Sequence, residues 1–504
     1  MSSNIENTHK FTFDLSDPDE IFGNEAAEDE KQDKFLSYAV RRPEIKRFTN
    51  PDKPIQVVRA FKGEGKSALL RLIDSNLKSN ESTIIIKTTG QALSPSVNSE
   101  DSDEWVRAWK ANILKNIANE IGSRLNFAFT DDAISLVEEA ERSGFKSRSF
   151  ISSIFDRLKT SAVPLERTRP AIENPEKILG RWLENSAPIW MILDDIDQNF
   201  QNTPKQKIKV ASCFIAVRQI LSQIPETRFR LCVRPNVWAS IKPDYEALSH
   251  VEQYMVDLSW PDESFEGILA RRVEGYLKVT QQIESESKKS NSELINLLFE
   301  NPVLWGSGGK PRPMHIALHT LSRHRPRWLV ELCKLASLEA NRNGREKITL
   351  DDIVKQLDDF GQRRIEDTIA EFRPQCPQIE NLIVAFADQP ERFTTDELLR
   401  TIRDRIQPGV LPKIEGVIGV PSAKEIAHFL FEIGFLSARR DHANGEYEHI
   451  SFDKRPNLLR ATTNVDEGVS WEIHPVFRRT LRLKNVESKS ERANSPKGPI
   501  RKSR

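Results

Sequence analysis

Eight consecutive residues carry the first chemical signal, Ala60-Phe61-Lys62-Gly63-Glu64-Gly65-Lys66-Ser67. Glycines in such a loop let backbone N–H groups face an anion without a Cβ clash, and a helix starting at Lys66 adds its positive dipole end. The Lys66 ammonium reaches the β and γ oxygens of a nucleoside triphosphate, and the Ser67 hydroxyl serves magnesium. The spacing predicts a phosphate loop for ATP with Mg2+, in which Ala60, Phe61, Lys62, Gly63, Glu64, Gly65, Lys66, Ser67 and Ala68 bind the nucleotide and Lys66 also acts catalytically.

A second run, Ile189-Trp190-Met191-Ile192-Leu193, ends in Asp194-Asp195-Ile196-Asp197. Carboxylates at the end of an apolar strand suit a magnesium shell, so Asp194 is expected to share the metal with Ser67. Asp195 stands where a glutamate commonly activates water; one methylene shorter, it predicts slow hydrolysis. Arg234 closes a strand expected over Phe229 to Val233 and is a candidate catalytic sensor of the γ-phosphate, the alternative being an arginine that merely ends a strand. Arg325-Pro326-Arg327 opens a helix from which Arg327 is a candidate to reach over the phosphates, again with a bland alternative. Other combinations are poorer. His315 and His319 have the i, i+4 spacing of a metal face but lack a third ligand, and Cys376 with His474 forms no recognisable nucleophile motif.

These residues need elements to hold them. Ile55 to Val58 and Thr83 to Lys87 are β-branched runs, and the stretch between them reads as a helix over Lys66 to Leu77, which makes a βαβ unit. A long helix is expected around Glu104 to Leu125, then a weakly patterned stretch with a loop near Pro164 to Pro170. The run from Ile189 is apolar throughout, as a strand buried on both faces should be. A helix over Lys205 to Gln223 continues the α/β alternation. Beyond Trp260 the chain turns helical, with candidates at Glu263 to Leu277, Ser292 to Leu297, His315 to Leu321 and Arg327 to Ala340.

From Ile379 the texture changes again. A helix at Ile379 to Phe386 precedes two capping-box signatures, Thr394 to Glu397 and Ser422 to Glu425, each opening an amphipathic helix. Strands at Phe435 to Arg439, Tyr447 to Phe452 and Trp471 to His474 complete a winged-helix order. Lys424, His428, Arg439, Arg440, Lys454 and Arg455 are its candidate DNA contacts, the alternative being a solvated face or an intramolecular clamp.

Composition bounds the rest. The chain has 504 residues, 38% hydrophobic and 29% charged, which suits a multi-domain globular protein. Lysine plus arginine balances aspartate plus glutamate at 74 each, so any nucleic-acid surface must be local. Cys213, Cys232, Cys333 and Cys376 are too widely spaced for a metal or redox motif and read as buried thiols of a cytoplasmic protein. Neither a membrane span nor a signal peptide is expected. Residues 1–35 hold ten acidic and three basic side chains, and the stretch from Lys484 to Arg504 holds seven basic and two acidic. The expected organisation is an acidic flexible N-terminus (1–34), an α/β P-loop core with a parallel sheet and flanking helices (35–260), an α-helical lid (261–375), a winged helix (376–483) and a basic disordered tail (484–504). Phe35 through Phe48 is expected to lie across the nucleotide site.

The phosphate loop, Leu193-Asp194-Asp195-Ile196-Asp197, Arg234, Val256-Asp257-Leu258-Ser259-Trp260 before a helix with Arg271-Arg272, and Arg325-Pro326-Arg327 together resemble bacterial STAND-type AAA+ ATPases. More narrowly they are similar to an origin-recognition-like group of P-loop ATPases often encoded in phage-defence loci. The resemblance runs over residues 35–480, and only the first two motifs are specific. It implies an AAA+ core, a helical lid, a winged helix, and ATP as a switch or assembly signal. A regulator acting in antiphage defence follows, with a partner or effector encoded nearby, a homo-oligomer as a possible state and no membrane. The alternative is a DNA-binding ATPase that loads or positions another factor. Ala60 in place of glycine, Asp195 in place of glutamate, and no repeat-type sensor domain depart from the family pattern.

Overall fold

The computed structural model describes residues 11–78, 84–123, 188–283, 288–306, 309–442, 447–452, 454–460, 466 and 468–485. The expected loop near Pro164 to Pro170, the wing tip and almost all of the basic tail lie outside these residues. Through the first half the chain runs α1 (Pro18–Phe22), α2 (Gln32–Tyr38), α3 (Glu44–Phe48), β1 (Ile55–Arg59), α4 (Lys66–Leu77), β2 (Ile84–Thr89), α5 (Gly90–Leu93), α6 (Ser102–Ser123) and β3 (Ile189–Asp194). It continues through α7 (Pro204–Gln223), β4 (Thr227–Val233), α8 (Pro235–Ile241), β5 (Met255–Asp257) and α9 (Asp262–Val279).

The five strands form one parallel sheet in the order β2-β3-β4-β1-β5. Period-two alternation sends their side chains to two cores. Ile189, Met191 and Leu193 join Phe229, Leu231 and Trp109 on one face, while Trp190 and Ile192 join Val58, Leu69 and Cys232 on the other. Burial on both faces explains the unbroken apolar run of β3. This is the parallel α/β sheet with flanking helices expected from the motifs, with the Ala60 to Ser67 loop between β1 and α4. Strand order matters for the site, because β4 lies between the phosphate-loop strand β1 and the carboxylate strand β3.

The acidic N-terminal segment departs from expectation, since from Phe11 onward it is folded. Its acids are interleaved with apolar residues, and Ile21, Phe22, Phe35 and Tyr38 are buried. The one deeply buried acid, Glu30, accepts hydrogen bonds from Tyr38 Oη (3.0 Å) and Asn24 N (2.7 Å). Arg71 of α4 donates to the Ala27 carbonyl and to Gln32 Oε1 (2.7 Å) and stacks on Phe35, tying the segment to the phosphate-loop helix.

The remaining elements are α10 (Asn291–Leu298), β6 (Val303–Trp305), β7 (Lys310–Arg312), α11 (Met314–Ser322), α12 (Pro326–Arg342), α13 (Leu350–Lys355), α14 (Leu357–Phe372), α15 (Ile379–Val384), β8 (Arg392–Phe393), α16 (Thr395–Arg405), α17 (Ala423–Glu432), β9 (Leu436–Asp441), β10 (Tyr447–Ile450), β11 (Ser470–Ile473) and α18 (Pro475–Arg478). The described chain divides into two compact units, one holding Asp19–Leu294 and His324–Val330, the other the rest. The helical stretch expected to form a single lid is thus shared out: residues 261–294 and 324–330 group with the sheet. In the first unit His324 packs on Phe265 of α9 at 5.2 Å between ring centroids.

The second unit contains the winged helix. Both predicted capping boxes are present, at Thr394 and Ser422. Its four-stranded antiparallel sheet runs β10-β9-β11-β8. The two-residue strand β8 has no pattern of its own and is defined only by pairing with Trp471 and Glu472.

Candidate nucleotide site

At the end of β1, Ala60 is buried and its N–H donates to the Val233 carbonyl at 3.3 Å, extending the ladder to β4. An extended core position needs no glycine, which accounts for the alanine. Gly63 and Gly65 do need to be glycine. They adopt φ of +85° and +98°, and Gly65 is the N-cap of α4. A Cβ on Gly63 would lie 3.3 Å from Arg327 Cβ, and one on Gly65 3.6 Å from Trp260 Cζ2.

The loop is held from within and from both sides. Phe61 N donates to Glu64 Oε2 at 2.6 Å, and Glu64 N returns a bond to the Phe61 carbonyl at 3.3 Å. Trp260 Nε1 donates to the Glu64 carbonyl (2.7 Å), and Arg327 N donates to the Gly63 carbonyl (3.2 Å). Lys62 is exposed and Ala68 partly buried in the first turn of α4, while Lys66 Nζ reaches across to the Ala60 carbonyl at 3.0 Å. The segment expected across the site does arrive beside it: the Arg42 guanidinium lies 4.6 Å from the Trp260 ring centroid and is paired with Glu44 at 2.6 Å.

Opposite the loop, Ser67 Oγ donates to Asp194 Oδ2 at 2.9 Å, which brings together the two predicted metal ligands from α4 and β3. Asp195 follows in a left-handed turn, φ +50°, with its N–H on Asp194 Oδ1 at 2.9 Å. Aspartate tolerates this region better than most side chains, and such strain collects at functional sites. Burial first, and the neighbouring Asp194 charge second, push the Asp195 carboxyl above its ordinary range against the opposing pull of Lys66. A carboxylate of raised basicity is what a water-activating group requires.

The structure places Arg234 elsewhere than at an open edge. Its main-chain N (2.8 Å) and its Nε (2.9 Å) both donate to Asp197 Oδ2, and Asp197 is buried. The predicted sensor is committed to an ion pair that fixes the turn after β3 against the end of β4. Arg325 is also internal, stacked between Trp328 (4.6 Å) and Phe61 (5.5 Å). Arg327 is only partly buried, and its guanidinium makes no hydrogen bond or ion pair among the described residues.

One supporting residue escaped the sequence. Gly90 follows β2, whose Thr89 pairs with Asp194, and a Cβ there would sit 2.4 Å from Ile196 Cα and 3.0 Å from the Asp195 carbonyl. Only glycine lets β2 approach the carboxylate turn this closely.

The winged-helix expectations need correction. His428 is buried and its Nε2 is 3.0 Å from the Pro456 carbonyl; Arg439 is buried against Glu472 (2.9 Å) and Asp441 (2.7 Å). Ile426 through Phe431 of α17 are all buried, with Phe452 edge-on against His428 and Phe431. Of the six candidate contacts, Lys454 and Arg455 are exposed, and Lys424 and Arg440 partly so.

His315 and His319 stack at 5.3 Å, and no cluster of three metal-ligating side chains occurs among the described residues. All four cysteines are buried thiols; burial pushes the Cys376 thiol up to about 11, and His474 caps α18. No helix among the described residues is long and apolar enough to cross a membrane.

No protein-family model matches the chain. Among curated proteins it is 22% identical over 487 residues to the transposon gamma-delta 80.3 kDa protein of Escherichia coli (strain K12), covering 90% of this chain. The match takes in 66% of that protein, so the chain spans just under two thirds of its relative's length. Among solved structures it is similar to Cdc6p from Pyrobaculum aerophilum, with 12% identity, TM-score 0.32, and coverage of 90% of this chain and 98% of that one. The ORC2 protein of Aeropyrum pernix in its ADPNP–ADP complexes gives 11% identity, TM-score 0.35, and coverage of 90% and 92%.

Proposed function

We propose that the chain is an ATP-binding, slowly hydrolysing ATPase that acts as a nucleotide-held switch in a DNA transaction, positioning another factor. The observation that carries the nucleotide part is the meeting of Ser67 Oγ and Asp194 Oδ2 beside a loop that two positive-φ glycines hold open. The cradle at Gly63 and Gly65 and the hydroxyl–carboxylate donor set fit a triphosphate with Mg2+. When bound, magnesium supplies charge neutralisation to the phosphates. Ser67 and Asp194 are the residues that hold it. Lys66 gives up its internal bond to Ala60 to serve the phosphate oxygens, and the α4 N-terminus adds its dipole. Asp195 accepts a proton from water at its carboxylate, which the short side chain does less well than a glutamate. Arg234 positions this turn by holding Asp197. Arg327, carried beside Gly63, is the residue that senses the phosphates from the helical side.

The name of the curated relative, a transposon protein, supports a DNA setting over the phage-defence role that the motifs first suggested. A second reading rests on α17: with Ile426 through Phe431 all buried, the middle of this helix is closed to a DNA groove, the winged helix serves as a module for a protein partner or a second copy, and the chain is a regulator rather than a DNA loader. Both readings place the protein in the cytoplasm.

The test is nucleotide binding and phosphate release by the purified full chain. Lys66→Ala is expected to abolish ATP binding; unchanged binding removes the phosphate-loop assignment. Duplex binding that requires ATP, weakens with salt and drops in Lys454→Ala with Arg455→Ala supports the DNA reading, whereas ATP turnover with no duplex binding at low salt favours the protein-partner reading.

A further inference from the structure

Glu64 stands at a position of the phosphate loop where the pattern accepts any residue, yet its side chain closes the loop on itself. The Phe61 N–H donates to Glu64 Oε2 (2.6 Å), and the Glu64 N–H donates to the Phe61 carbonyl (3.3 Å). The two residues are thus joined twice, by the main-chain bond of a β-turn and by the side chain of its last residue accepting from the N–H of its first. The closed turn is pinned outside by Trp260 Nε1 on the Glu64 carbonyl and by Arg327 N on the Gly63 carbonyl.

From this geometry we infer that Glu64 is a positioning residue of the nucleotide site, an internal brace that fixes the phosphate loop in its binding shape. The inference rests on the ATP-binding reading above and deepens it. The opposite role, a carboxylate plugging the anion site, would need Glu64 to occupy the donors that serve phosphates. Its Oε2 accepts from the amide of Phe61, at the start of the loop and outside the first turn of α4. The α4 ladder begins with Leu69 N on the Gly65 carbonyl, so the amides of Lys66, Ser67 and Ala68 in the first turn have no partner within the helix. A loop already bonded in this shape loses less conformational entropy on binding, which appears as affinity. The negative charge works against an anionic ligand, so the brace and the charge have opposite signs and separate by substitution.

Binding of a fluorescent ATP analogue is measured on the full chain as wild type, Glu64→Gln and Glu64→Ala, with the melting temperature of each protein without nucleotide as a check on folding. The brace predicts about tenfold weaker binding for Glu64→Ala, the loss expected for one hydrogen bond to a charged group. Glu64→Gln, which keeps an acceptor and drops the charge, is expected to bind as tightly as wild type or more tightly. Melting temperatures within a few degrees of wild type separate a positioning role from a global one. Binding by Glu64→Ala equal to or tighter than wild type overturns the brace, and so does equal weakening in both variants. A wild type that binds no ATP overturns the ATPase reading itself, a different result from either.

Discussion

Ser67 Oγ and Asp194 Oδ2 meet at 2.9 Å although 127 residues separate them in the chain. One is the second residue of α4 and the other the last of β3, so their meeting depends on the sheet order that sets both ends on one edge. Parallel sheets bind ligands outside the carboxyl ends of their strands, and this pair lies there. If the two act jointly on magnesium, Ser67→Ala and Asp194→Ala should each weaken Mg-dependent ATP affinity. The double variant should then lose less than the sum, with a coupling of about 0.5–3 kcal/mol. Titration of labelled ATP with and without EDTA decides it; strictly additive losses, or a wild type indifferent to EDTA, remove the shared metal role.

Gly90→Ala tests the approach of β2 to the carboxylate turn. The added Cβ would come within 2.4 Å of Ile196 Cα, a contact between backbone atoms that no rotamer change relieves. Overpacking of this kind costs about 1–3 kcal/mol. Hydrolysis should fall more than ATP affinity, because the displaced residues are Asp195 and Ile196 and not the phosphate loop. Thermal melting and phosphate release measured side by side check it, and a variant with wild-type values in both would show the turn to be freer than its packing implies.

Legibility followed the range of the interactions involved. The phosphate loop, the β3 carboxylates and the two capping boxes were readable because each is chemistry within a few residues. The helix over Lys66 to Leu77 carried its own start, stop and apolar stripe. Gly90 was not readable, since its need for glycine arises from a strand pairing with residues a hundred positions away. Arg439 and His428 were misread for a related reason. A charge in a sequence reads as surface until its partner is known, and Arg439 finds Glu472 at 2.9 Å. In residues 11–35 the count of acids hid the spacing of Ile21, Phe22 and Phe35, which fold the segment.

Asp195 should give ATP hydrolysis an acidic limb. Its carboxyl is raised from an ordinary value of 3.8, first by burial and then by the charge of Asp194, so the deprotonated base is lost at a higher pH than for an exposed aspartate. Rate should therefore rise with pH through that raised value and then level. Asp195→Asn should lower turnover about a hundredfold, the low end for a lost general base, and erase the limb, while Asp195→Glu retains both. Single-turnover rates from acid to neutral pH are the measurement; an unchanged limb in Asp195→Asn assigns the titration to another group.

Glu472 is the ionic centre of the winged-helix sheet. It is buried on β11 and receives Arg392 at 2.7 Å, Arg439 at 2.9 Å, His449 at 3.0 Å and Arg478 at 3.1 Å. Burial alone would raise its carboxyl, but the hydrogen bond from His449 and the charges of Arg478, His449 and Arg392 outweigh it and hold the group well below its ordinary 4.5. A folded-state value below the unfolded one means the contribution is fully present above about pH 4.5 and is lost as pH falls from there toward the depressed value. Glu472→Gln should flatten that acid dependence and, by taking the shared anion from the buried Arg439 and the half-buried Arg392 and Arg478, which keep Asp441 and Glu391, cost about 1–3 kcal/mol at neutral pH. Hydrogen exchange in peptides covering Leu436–Asp441 and Ser470–Ile473 reads this unit within the whole chain. Protection should drop on acidification in the wild type, and in the variant it should be low already at pH 7. If wild type and variant lose protection in parallel as the pH falls, the acid sensitivity belongs to other carboxylates and the sheet does not depend on this one.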